Sequence, residues 1–199
     1  MEFDISEFRG KNAVCPPGAS LRPGRYKSRL VIRDFDTGEA AVAKAYAPVA
    51  KPSERSLILG QSLLLVPESG FVYLWEQMQE KKSRQIWNDV CSFDSRLSTP
   101  LIGPLPKGAS KISALIPYRQ ASLSGGDIVF KAHLVNFSSR QNIPVACAQL
   151  ERISKEGFQV QLLGLELGGL QTGEYVLYIL AQDSSKKQTS YVHTTLLVR

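Results

Sequence analysis

From Gly173 to Gln182 the chain alternates, with Tyr175, Leu177, Ile179 and Ala181 pointing one way and Val176, Tyr178 and Leu180 the other. A period of two is the signature of a β-strand with one face in a core. Asp183 to Gln188 is polar and predicts a turn. Tyr191 to Val198 returns, rich in the β-branched residues that fit a pleated surface. The opening of this hairpin, Leu170-x-x-Gly173-x-Tyr175, has the spacing of a tyrosine corner. In that device a Tyr early in a strand of an immunoglobulin-like sandwich bonds back to the chain upstream.

The same text occurs once more. Leu21 to Val49 aligns without a gap with Leu170 to Val198, and Leu21, Gly24, Tyr26, Asp34 and Val49 match Leu170, Gly173, Tyr175, Asp183 and Val198. The first copy predicts a strand over Tyr26 to Arg33, with Tyr26, Leu30 and Ile32 on one side, a turn over Asp34 to Gly38, and a strand over Glu39 to Ala47. The Ala-rich text of that last segment would also suit a helix; the Thr- and Val-rich second copy favours strand. The chain is thus organised as the ends of two successive sandwich units. Residues 1–50 form a partial unit, the end of a preceding domain, because the 20 residues ahead of the first copy are too few for a sandwich of about seven strands. Residues 51–199 form a complete unit, with Pro48 to Ser56 as the linker.

Within the second unit, Leu57 to Val66 reads as a buried strand. Further strand signals lie at Ile112 to Ile116, Asp127 to Phe137, Val145 to Ile153 and Phe158 to Leu163, each bounded by Gly, Pro, Asn or Ser. This spacing predicts an all-β fold, an immunoglobulin- or fibronectin-III-like β-sandwich with a partial first and a complete second unit. An insertion occupies about residues 67–97. There Phe71, Leu74, Trp75 and Met78 recur at helical spacing, and the segment reads as a β-hairpin or a short helix. Met1 to Arg9 alternates and could supply one more strand.

Composition changes this picture little. Hydrophobic residues are 43% and charged residues 21% of the 199, ordinary for a chain with a core. The net charge of +6 is scattered, and no nucleic-acid recognition motif accompanies it. No apolar run approaches the ~18 residues of a membrane span. Cys15, Cys91 and Cys147 are too far apart for a Cys-x-x-Cys metal or redox motif. Cys147, in a strand-like stretch, reads as a buried apolar thiol.

The quoted segments, together with LILGQSLLLV and LSGGDIVFKAHLVNF, resemble the C-terminal region of bacterial exported proteins related to von Willebrand factor A domains. The resemblance covers roughly Leu21 to Leu65 and Leu123 to Val198. It implies a trailing β-sandwich module and an extracellular or periplasmic location. It brings no metal site, since Asp94-Ser-Arg-Leu-Ser98 lacks the Asp-x-Ser-x-Ser spacing of the A domain.

Candidate chemistry is sparse. His133 and His193, the two histidines, sit in strands without a visible partner for general-base work. Ser124-Gly-Gly-Asp127 precedes a strand and not a helix, so it reads as a turn and not a phosphate cradle. Asp34 with Asp36, and Glu151 with Glu166, form no recognised calcium loop or glycosidase pair. No catalytic residue, metal ligand or cofactor site is expected. Tyr73, Trp75 and Trp87 are the candidate binding residues, because aromatic side chains stack on sugars and anchor protein partners. The alternative use of the two tryptophans is as core beneath the insertion. The expected function is a non-enzymatic interaction or structural module, with a protein or a cell-surface glycan as partner; the alternative is a carbohydrate-binding module using the Trp75/Trp87 segment.

Overall fold

The computed structural model describes residues 12–14, 22–34, 36–49, 57–67, 71–73, 99–101, 103–105, 108–120, 127–155, 158–185 and 187–199. Among them the regular structure is all β: β1 (Asn12–Val14), β2 (Gly24–Arg33), β3 (Ala40–Val49), β4 (Ile58–Leu59), β5 (Leu63–Val66), β6 (Phe71–Tyr73), β7 (Thr99–Pro100), β8 (Lys111–Arg119), β9 (Ile128–Asn136), β10 (Asn142–Lys155), β11 (Phe158–Glu166), β12 (Gly173–Asp183) and β13 (Gln188–Val198). The chain divides into two compact units, Pro17–Glu54 and the remainder.

In the larger unit the hydrogen-bonded path runs β13-β12-β9-β10-β11-β8-β5-β7, with β4 also on β8. This path folds over on itself at β10. Asn142 to Val145 pair with β9, whereas Ala146 to Lys155 pair with β11, and the register slips between Gln149 and Glu151. One strand thereby serves two sheets, the way a bulge lets a strand turn a corner. Gln161 bridges the slip: its buried side chain donates from Nε2 to Glu151 O (2.8 Å) and Leu162 O (3.0 Å). The open end is drawn in where β4 meets β13. Leu57 N donates to Gln188 Oε1, Leu59 N to Ser190 Oγ, and Leu105 N to Leu197 O. The result is a sandwich close to a barrel.

The alternation read from the sequence decides what fills it. In β12, Tyr175, Leu177, Ile179, Ala181 and Asp183 are buried, and each intervening residue is not. Tyr175, Leu177, Ile179 and Ala181 join Ile112, Ala114, Ile116, Phe130, Leu134, Leu163 and Leu196 in one core. Each fully buried Leu or Ile there stabilises by roughly 1.5–3 kcal/mol relative to exposure. A smaller cluster of Leu65, Leu115 and Val160 involves the β5-β8-β11 sheet, in which Leu115 follows the core residue Ala114. That accounts for the apolar character of β8. Asp183 is the buried carboxylate; its Oδ2 accepts from Gln120 Nε2 at 2.8 Å and its Oδ1 from Ser185 N and Oγ.

One expectation is adjusted. The apolar run from Leu57 to Val66 is not one strand but two, β4 and β5. Between them Gly60 N donates to Pro117 O at 2.7 Å, and a Cβ at Gly60 would stand 2.9 Å from the Pro117 ring; the close approach interrupts the run. In the insertion, Phe71 to Tyr73 form a strand, β6, which pairs in parallel with β1. Residues 74–98, including Leu74, Trp75 and Met78, lie outside the described residues, as do Met1 to Arg9 and Ser124 to Gly126.

The smaller unit is the β2–β3 hairpin, paired from Gly24↔Val49 to Arg33↔Ala40. Tyr26 Oη donates to Arg22 O at 2.7 Å. Asp34 Oδ1 accepts from Asp36 N (2.8 Å) and Thr37 N (3.1 Å). These two N–H groups, that of Thr37 foremost, hold the Asp34 carboxyl below its ordinary pKa.

Candidate aromatic and histidine surface

Burying one face of β9, β12 and β13 commits the alternate positions to the other face. The register then decides which residues meet there. Tyr178 stands opposite His133 of β9 on one side and His193 of β13 on the other. The rings use that proximity. His133 and Tyr178 stack with centroids 5.1 Å apart and planes 9° from parallel. His193 lies 5.7 Å from Tyr178 at 35°, and Tyr191 6.5 Å away at 47°. Tyr191 is 64% exposed and His193 is also exposed; His133 and Tyr178 are half-buried. Val135 and Val176 extend the row, and Leu180 stands opposite Tyr191.

Such a surface carries four rings, each with a hydrogen-bonding edge, on a rigid sheet. The stacked pair turns its ring faces onto each other, which leaves edges and polar atoms to meet a partner. Tyr191 and His193 are the exposed rings of the row. The arrangement suits protein contact, in which Tyr gives large area at low entropic cost.

Of the residues expected from sequence, Tyr73 ends β6; Trp75 and Trp87 lie outside the described residues. His133 and His193 read from sequence as isolated strand histidines. Their convergence was missed because it depends on register across three strands. The available signal was that Tyr178, His193 and Tyr191 fall on the same parity of the tyrosine-corner hairpin.

A concavity of about 540 Å³ lies over β8, β10 and β11. Its floor is a cross-strand row of small residues, Ala148, Gly164 and Ser113, in register, walled by Leu150 and Pro67. At one end Lys111 Nζ and Glu166 Oε1 pair at 3.2 Å. Cys147 lines it, and burial raises its thiol pKa. Among the described residues no group of three or more His, Cys, Asp or Glu could hold a metal ion, and no helix is long and apolar enough to cross a membrane. Comparison of the chain with protein-family models, curated proteins and solved structures returned no match.

Proposed function

We propose that the chain is a non-enzymatic interaction module with an immunoglobulin- or fibronectin-III-like sandwich, and that it binds a protein partner through the His133–Tyr178–Tyr191–His193 face. Two features support the fold reading. Sheet order is β5-β8-β11 followed, around the β10 corner, by β9-β12-β13. The next-to-last strand opens with a tyrosine corner, Tyr175 Oη donating to Gln171 O at 3.0 Å. The observation that carries the function is the row of four rings on one sheet face, the stacked His133 and Tyr178 half-buried and Tyr191 and His193 exposed beside them, since solvent-facing aromatic clusters mark contact surfaces. By the sequence resemblance the module belongs to a bacterial exported protein and works outside the cytoplasm.

The test uses Tyr191→Ala with His193→Ala. Both side chains are exposed, so the double variant keeps the parent melting temperature within a degree or two. It is expected to lose a protein cross-linked to the parent chain in cell-envelope extract of the source organism. Retention of that partner by the double variant overturns the assignment. A glycan array on the same proteins, with Trp75→Ala and Trp87→Ala beside them, reads the carbohydrate-binding alternative: a glycan signal lost only with the tryptophans replaces the protein reading.

A further inference from the structure

β13 is an outer strand of its sheet. Among the described residues its backbone pairs with β12 along one edge and with Leu105 at one end of the other. Leu105 N donates to Leu197 O at 2.7 Å, so Leu197 turns its carbonyl outward. The far side of β12 agrees: Phe137 N donates to Glu174 O, so the even positions of β12 face β9 and the odd ones face β13. Backbone groups alternate in direction along a strand. Tyr191, His193 and Thr195, of the same parity as Leu197, therefore turn N–H and C=O to the outer edge. At the other end of this edge β4 meets the side chains of Gln188 and Ser190. The stretch between the two contacts, Tyr191 to Thr195, is about 17 Å long. Burial marks the same gap. Leu196 and Val198 are buried near Leu105, whereas Val192 and Thr194, on the same core-facing parity, are only half-buried. Free edges are usually blunted by Lys, Pro or a bulge. From Gln188 to Val198 there is no Lys, Arg, Asp, Glu or Pro, and the register against β12 does not slip.

We infer that the protein partner adds an extended segment of about five residues to this edge as a further strand, between the β4 and Leu105 contacts. The inference rests on the protein-partner reading of the adjoining ring face and says how that partner is held. The outward N–H and C=O groups of Tyr191, His193 and Thr195 supply the hydrogen bonds, and alternate side chains supply selectivity. The segment is uncharged. On one side its apolar residues close the core beside Val192 and Thr194, where a charge would be buried without a counter-ion on β13. On the other side they lie beside Tyr191 and His193. A second copy of β13 is a poorer occupant. Setting Tyr191 antiparallel to Thr195 of a second copy sets Gln188 opposite Val198 of that copy. The Leu105 contact of one copy then claims the stretch that β4 of the other holds.

Amide exchange of the full chain, resolved residue by residue, tests this. The probe is a capped peptide of alternating Val and Thr at millimolar concentration. The expected result is exchange slowed at least about tenfold at the Tyr191, His193 and Thr195 amides. The same peptide N-methylated at every amide slows none of them. Thr195→Pro removes one outward donor and spares the β12 ladder, since an edge strand tolerates Pro where its N–H faces out; it abolishes the effect. Thr195→Lys, which guards the edge with a charge, weakens it if Thr195→Pro fails to fold. The ring face and the edge fail separately. A cross-linked partner kept by Tyr191→Ala with His193→Ala refutes the ring face, whereas the peptide reads the edge amides alone. No slowing with the alternating peptide, equal slowing with the methylated one, or slowing kept in Thr195→Pro overturns the inference. So does slow exchange in the chain by itself that appears together with dimers in sedimentation, because the occupant is then a second copy.

Discussion

The Tyr175 hydroxyl donates to the Gln171 carbonyl at 3.0 Å from inside the core, where Tyr175 is 2% exposed. Its counterpart, Tyr26, makes the same bond at 2.7 Å from a half-buried position. Tyr175→Phe leaves the Gln171 carbonyl without this donor and is expected to cost about 1 kcal/mol. Tyr26→Phe, with solvent able to replace the bond, is expected to cost a small fraction of that. Urea unfolding of the two variants checks the ordering, and equal losses contradict it.

That pair also marks how far the sequence could be read. Both corners were legible, because a fixed spacing of Leu, Gly and Tyr encodes a local bond four residues long. The alternation of β12 was legible for the same reason: one face is in the core and the other is not. The repeat does not set burial: Tyr26 is half-buried where Tyr175 is in the core, because burial depends on strands outside the hairpin. The β10 corner was not legible. It rests on which strand each part of β10 pairs with, and nothing in the local pattern of Asn142 to Lys155 announces a change of partner strand. The ring row failed to show for a similar reason, since His133 and Tyr178 are 45 positions apart in sequence and meet only through pairing.

Tyr118 is buried, and among the described residues its hydroxyl has no hydrogen-bond partner. The ring is well placed, edge-on to Phe130 with centroids 5.7 Å apart and with the Arg152 guanidinium 5.8 Å from its centroid. Burial raises the phenol pKa, partly opposed by the Arg152 charge. An unsatisfied buried hydroxyl costs about 1–3 kcal/mol. Tyr118→Phe keeps the packing and removes the orphan, so it is expected to stabilise by about 1 kcal/mol. A fall in melting temperature contradicts the prediction.

Cys147 lies half-buried beside the core, and burial raises its thiol pKa above the ordinary 9.0. The sign follows from linkage. A raised acid pKa means that the unfolded chain releases the proton first, so the contribution is intact below the unfolded value and declines as pH rises from there toward the folded value. The thiolate is also the reactive form. Alkylation by iodoacetamide at pH 8, followed peptide by peptide in a mass spectrometer, is therefore expected to be slower at Cys147 than in the urea-unfolded protein. The gap narrows as pH is raised past 9. Equal rates in folded and unfolded protein at pH 8 contradict the prediction.

Gln161 is the test of how the sandwich closes. Its side chain is 5% exposed, and Nε2 donates to two carbonyls, Glu151 O at the register slip of β10 and Leu162 O beside it on β11. The bonds reach across the slip, and a partly buried polar group that loses its partner carries a desolvation cost. Gln161→Leu conserves size while removing both donors, and is expected to destabilise by about 1–3 kcal/mol. Gln161→Glu also removes the donors and adds a charge facing two carbonyls, so it is expected to be worse near neutral pH and to recover partly as the carboxyl protonates in acid. Exchange measurements separate a local from a global effect. If Gln161 holds the corner, protection falls first where Ala146 to Lys155 pair with β11, while the β12–β13 hairpin keeps its protection. Uniform loss across both sheets instead means that Gln161 acts through the core and the corner is held by backbone pairing alone.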